Sequence, residues 1–233
     1  MLTVKKTLSS TVGKKYLMGL SGLALVGFII AHLTGNLLLL VPGGEAFNLY
    51  AKKLENLGYF LYVMEAGLIF IFLLHIVTAV QTRLTNKMAR PIDYRLSATK
   101  GGLSKSTWGS RNMIITGMVL LVFLIIHLMQ FKFGLFMDTN LDWTTMVEGD
   151  EARDLYAIVV TTFSNPAWAI FYVVVMCLLG FHLRHGFWSA FQSLGVAYPR
   201  FSRPLYIVAL LFALLMATGF MILPIYLFLF GEI

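Results

Sequence analysis

The stretch Gly180–Phe191, GFHLRHGFWSAF, places two histidines and an arginine at the end of a long apolar run. Ionisable side chains at membrane depth are costly, so their presence there points to function. Three other apolar runs each hold one histidine: His32, His75 and His127. These make up all five histidines of the chain, and none lies in a polar loop.

The chain has 233 residues, of which 58% are apolar and 12% charged, a composition too apolar for a water-soluble domain. A bilayer core of about 30 Å needs about 20 apolar residues in a helix. Five stretches satisfy this: 16–41, 59–82, 112–131, 166–187 and 204–230. The first has a basic start but is too long for a signal-peptide core and lacks a clear cleavage site, so it reads as a retained span. The expected fold is an all-α integral membrane protein, a single membrane domain over 1–233, with five transmembrane helices in an antiparallel bundle. The lone Cys177 excludes an internal disulfide and reads as a packing residue.

Basic residues mark alternate connections. Lys5, Lys6, Lys14 and Lys15 precede span one; Arg83, Lys87, Arg90, Arg95, Lys100, Lys105 and Arg111 lie between spans two and three; Arg200 and Arg203 precede span five. The positive-inside rule makes these ends cytoplasmic, with the N-terminus inside and the C-terminus outside. The net charge of +7 is thereby a matter of topology and lipid contact, with no aromatic-interleaved basic face for nucleic acid. The expected location is the cell (inner) membrane, multi-pass. On the outer side, residues 132–165 are acidic. Phe47, Tyr50, Leu54 and Leu57 recur at helical spacing, as do Leu155, Ile158, Val159 and Phe163, so each group predicts a helix lying in the interface. Asn165 and Pro166 are the expected cap and first position of span four. The inner loop from Asn86 to Ser110 shows no strong period and is expected to dock a partner.

His32, His75 and His182 each lie 16 residues, and His127 15 residues, after the start of their span. That is about 24 Å along a helix. In antiparallel spans this puts His32 and His127 in an outer layer and His75 and His182 in a cytoplasmic one, roughly 15 Å apart. Neutral imidazole suits iron, and a b-type haem between helices takes one nitrogen from each side. Two layers of two histidines therefore predict two haems, with His32, His75, His127 and His182 as iron ligands. Gly35, Ala79 and Gly186 would leave room for a flat macrocycle on the same helix faces. Zinc fits less well, because neither layer offers three or four ligands. His185, about 60° from His182 around the helix, could replace it as ligand or contact a propionate or quinone. A lone membrane histidine could equally be a helix–helix hydrogen bond or a proton-relay member.

The motifs at Ser9–Ser10, Gly13–Lys15, Met18–Asn36 (MGLSGLALVGFIIAHLTGN), Glu45–Tyr50 and His182–Gln192 resemble the cytochrome b558 subunit of succinate dehydrogenase, and the likeness runs through all five spans. That resemblance implies a di-haem anchor with two haem b groups. It binds an iron–sulfur subunit and a flavoprotein subunit on the cytoplasmic side and passes electrons from succinate to a quinone, with menaquinone the expected type. His75 and His182 would ligate the haem near the iron–sulfur subunit and His32 and His127 the distal one. No succinate-oxidising residue belongs to such a subunit. Other readings remain: the di-haem subunit of a quinol:fumarate reductase, hydrogenase or formate dehydrogenase, or a non-haem transporter using a histidine proton relay. A transporter would be expected to show broken helices or an inverted repeat, and the sequence shows neither.

Other polar residues complete the candidates. Glu65, six residues into span two, could pass protons to or from a quinone or be an interfacial carboxylate. Arg83, Arg184 and Lys14–Lys15 could pair with propionates or reach lipid phosphate. Gln130 and Asn36 are weaker outer-side candidates. Trp108, Trp143, Trp168 and Trp188 are expected as interfacial anchors.

Overall fold

The computed structural model describes residues 6, 9–89, 108–137, 142–196 and 199–232. Eight α-helices are formed among them: α1 (Thr11–Asn36), α2 (Glu45–Glu55), α3 (Tyr59–Met88), α4 (Trp108–Arg111), α5 (Met113–His127), α6 (Leu155–Ser164), α7 (Pro166–Ser193) and α8 (Pro199–Phe230). Five segments are long and apolar enough to cross a membrane: Thr11–Leu40, Tyr59–Met88, Met113–Lys132, Pro166–Ser193 and Arg200–Phe230. The chain is thus a helical protein of the multi-pass membrane type.

Local chemistry explains the helix ends. Ser10 caps α1 by accepting from the Gly13 amide at 3.0 Å, Asp154 caps α6 from Ala157 at 2.9 Å, and Asn165 caps α7 from Ala167 at 2.9 Å with Pro166 in the first turn. After α1 the chain tightens into a 3₁₀ turn, Leu37–Leu40, and turns at Gly43 and Gly44, whose positive φ angles of 86° and 74° suit glycine. The helices α3 and α7 continue past the apolar stretches read from sequence, because Arg83–Met88 and Trp188–Ser193 contain neither glycine nor proline to stop them. Likewise α8 begins at Pro199 and runs through Pro204 and Pro224.

The largest contact is between α7 and α8, with α8 also against α1 and α6, α7 against α1, α5 and α6, and α3 against α1. Small residues allow close approach in the absence of a hydrophobic drive in lipid. Ala209, Ala213 and Ala217 are all buried on α8, and a side-chain carbon added at Gly180 would come within 2.9 Å of Ala217. One at Gly19 would meet Ala190 on α7 at 3.4 Å. A connected core of Leu33, Phe47, Val160, Phe163, Tyr172, Leu223 and Leu227 fills the end of the molecule beneath α2 and α6.

Several sequence expectations need correction. The acidic stretch 132–165 is not all loop and helix: β1 (Thr144–Val147) pairs antiparallel with β2 (Asp150–Arg153), Thr144 opposite Arg153. The helix α6 is not an amphipathic helix with one free face. Tyr156–Val160 and Phe163 are all buried, so both its faces are covered. The helix α2 has the expected amphipathic form, but Leu57 falls beyond its end. Cys177 is exposed on the outside of α7 instead of packed, and Trp188 is buried against Tyr206 and is no lipid anchor. The docking loop read from sequence falls mostly in 90–107, outside the described residues.

Candidate functional site

The candidate histidines lie on four helices: His32 on α1, His75 on α3, His127 on α5, and His182 with His185 on α7. The helix without a histidine, α8, stands behind α1 and α7. On the opposite side α3 packs along α1 and makes no extensive contact with α5 or α7. Only Thr78 of α3 is buried, so much of its apolar surface is left uncovered by the rest of the chain.

The histidines meet in the two pairs expected from depth. The rings of His32 and His127 have centroids 5.8 Å apart and stand nearly perpendicular, at 89°. His75 and His182 lie close enough for their charges to interact, and His185 lies beside His182. Aromatic rings pack around the outer pair: Phe28 stacks on His32 at 5.3 Å, and Phe123 and Phe131 flank His127 at 5.6 and 5.3 Å. Glycines on neighbouring helices face the inner pair. A side-chain carbon at Gly22 would come within 3.3 Å of His75, and one at Gly117 within 3.5 Å of His182.

Each of these four rings has a polar neighbour at Nδ1. Ser21 Oγ lies 3.4 Å from His75, Thr116 Oγ1 3.1 Å from His182, Tyr172 Oη 3.4 Å from His127, and Asn36 Nδ2 3.4 Å from His32. The hydroxyl protons are already committed. Ser21 donates to the Leu17 carbonyl at 2.7 Å, Thr116 to the Asn112 and Met113 carbonyls at 3.2 Å, and Tyr172 to Gln130 Oε1 at 2.6 Å. Toward imidazole each oxygen can only accept, which places the ring proton on Nδ1 and leaves the Nε2 lone pair bare. His32 differs: Asn36 Nδ2 donates to the His32 carbonyl at 2.7 Å, so the ring faces an amide donor. No hydrogen bond to the His185 ring is formed among the described residues. An imidazole with a bare Nε2 can ligate a metal, and His75, His127 and His182 are prepared in this way, whereas His32 is not.

Other candidates are placed as follows. Gly35 does not supply room, because Tyr50 fills the space beside it, 2.5 Å from where a side-chain carbon would sit; Gly186 is open. Glu65 forms an ion pair with Lys132 and is half-exposed, so it links the start of α3 to the end of the third span. Arg83 is exposed. Arg184 donates from Nη2 to Tyr206 Oη at 3.0 Å and lies over that ring at 5.2 Å, while its buried Nε has no acceptor. Gln130 is 3% exposed, and its Nε2 is also buried without a partner. Among the described residues no three His, Cys, Asp or Glu converge on a metal ion.

Sequence reasoning missed Ser21, Thr116 and Tyr172. A hydroxyl one or two turns into an apolar span, at the depth of a histidine on another span, is the signal that could have found them. No family model, curated protein or solved structure matches this chain.

Proposed function

We propose that the chain is the membrane-anchor cytochrome b subunit of a succinate:quinone oxidoreductase, holding two b haems between its histidine pairs. The observation that carries this reading is the pairing of four imidazoles from four helices, three of them with Nδ1 backed by a committed acceptor. His32 and His127, with ring centroids 5.8 Å apart, would hold the outer group between them. The small contact of α3 with α5 and α7 supports a site completed by a group held between His75 and His182.

In this reading the spans form an antiparallel bundle with the N-terminus cytoplasmic, as the basic ends near Lys14–Lys15, Lys87 and Arg200–Arg203 support. The bound haems supply one-electron transfer across the bilayer, between an iron–sulfur partner inside and a quinone. His75 and His182 hold the inner group, His32 and His127 the outer one. Ser21, Thr116 and Tyr172 orient the rings. Arg184, with its unsatisfied Nε, would hold a carboxylate of the inner group. The apolar walls exclude water. Glu65, paired with Lys132, serves here as an interfacial tie between two spans.

The test is a pyridine haemochrome assay on the purified chain together with mass spectrometry of co-purifying subunits. Two low-spin b haems per chain, with a flavoprotein and an iron–sulfur protein alongside, are expected. A ratio of one, or a five-coordinate high-spin spectrum, would remove the two-site arrangement. Two haems with other partners would move the chain to a different quinone-linked enzyme.

A further inference from the structure

His127 is backed by a polar cluster unlike those behind the inner histidines. Tyr172, 5% exposed, and Gln130, 3% exposed, are buried side by side. The Tyr172 hydroxyl lies 2.6 Å from Gln130 Oε1 and 3.4 Å from His127 Nδ1. Gln130 itself sits in a π-helical turn, Leu128–Lys132, that follows His127 directly; such widened turns recur at functional sites. Arg153 secures the turn from outside, donating to the Phe131 and Lys132 carbonyls at 2.9 and 3.3 Å. The Tyr172 ring is clasped by Phe123, Phe163 and Phe171 at 5.0, 4.9 and 5.8 Å, so the hydroxyl has little freedom to turn elsewhere.

We infer that Tyr172 is the positioning residue of the outer site, accepting the His127 Nδ1 proton because Gln130 holds its own, and that this relay sets the redox potential of the group bound at His127. The inference rests on the cytochrome reading above. A phenol has one proton and, at 2.6 Å, that proton belongs to the amide carbonyl. An oxygen that donates in this way becomes a better acceptor on its other side. Accepting from Nδ1 pushes electron density through the ring to Nε2, which favours the oxidised metal and lowers its potential. If the phenol donated to Nδ1 instead, the ring proton would sit on Nε2, which would then have no lone pair for a metal, so ligation through His127 Nε2 and a relay that lowers the potential go together.

The sign therefore decides. Redox titrations would be run on the detergent-purified full chain as wild type, Tyr172→Phe and Gln130→Met, with the outer haem identified by its loss in His32→Ala. Tyr172→Phe keeps the ring in its aromatic clasp and removes only the hydroxyl. It should retain both haems and raise the outer midpoint by about 59 mV, a tenfold change in the reduced-to-oxidised ratio for one electron. The inner midpoint should stay put. Gln130→Met should move the outer midpoint the same way by less, and decides the matter alone if Tyr172→Phe does not assemble. Haem-loaded variants with an unchanged or lowered outer midpoint overturn the inference and leave the cytochrome reading standing. A wild-type chain without haem overturns both.

Discussion

At the residue scale, the side chains that matter beyond the histidines are hydroxyls with their protons already spent. Thr116 is 1% exposed and serves two masters, its own helix through the Asn112 and Met113 carbonyls and His182 through its lone pair. Thr116→Val keeps the shape and leaves a buried ring N–H without a partner, a loss of about 1–3 kcal/mol. The melting temperature in detergent should fall, and Thr116→Ser should recover most of the loss; equal melting of wild type and Thr116→Val would show that the contact contributes nothing. The histidines themselves were legible from sequence because an imidazole in an apolar run is conspicuous and its depth can be counted. Their partners were not. Ser21 and Thr116 satisfy their own helix backbone and so look like ordinary buried hydroxyls, and the contact to histidine joins residues on different spans.

At the element scale, α6 is the clearest case of a pattern read correctly as helix and wrongly as surface. Leu155, Ile158, Val159 and Phe163 make an apolar stripe, but the other face, Tyr156, Ala157 and Val160, is apolar or aromatic as well. A helix apolar all round belongs in a core. Its N-terminus is locked by Asp154, which also accepts from Asn48 of α2 at 2.8 Å, while Asn48 Oδ1 accepts from the Tyr156 amide at 2.9 Å. Ile158, 2% exposed, should therefore behave as a core residue. Ile158→Ala is expected to cost about 2–5 kcal/mol, measured by denaturant or thermal unfolding. A cost below about 0.5 kcal/mol, usual for surface changes, would return α6 to the surface. The short hairpin β1–β2 gave no comparable signal, because strands of four residues are too short to show a clear alternation.

At the scale of the whole molecule, the lengths and number of the spans follow from composition, but which spans are neighbours does not, since every span is apolar on all sides. The structure puts α8 behind and leaves α3 attached along α1 alone, apart from the Glu65–Lys132 ion pair. A helix with so little packing of its own depends on what fills the space beside it. On the haem reading proposed above, α3 in membranes from haem-starved cells should exchange its amide hydrogens faster than α7 and α8, and haem should slow α3 the most; uniform slowing of all five spans would contradict that role. The same layout orders the making of the protein. The pair His32–His127 joins the first span to the third, the pair His75–His182 the second to the fourth, and Tyr172 behind His127 also belongs to the fourth. As the ribosome threads the chain into the bilayer, two half-built cradles thus coexist until the fourth segment arrives, and that one arrival completes both.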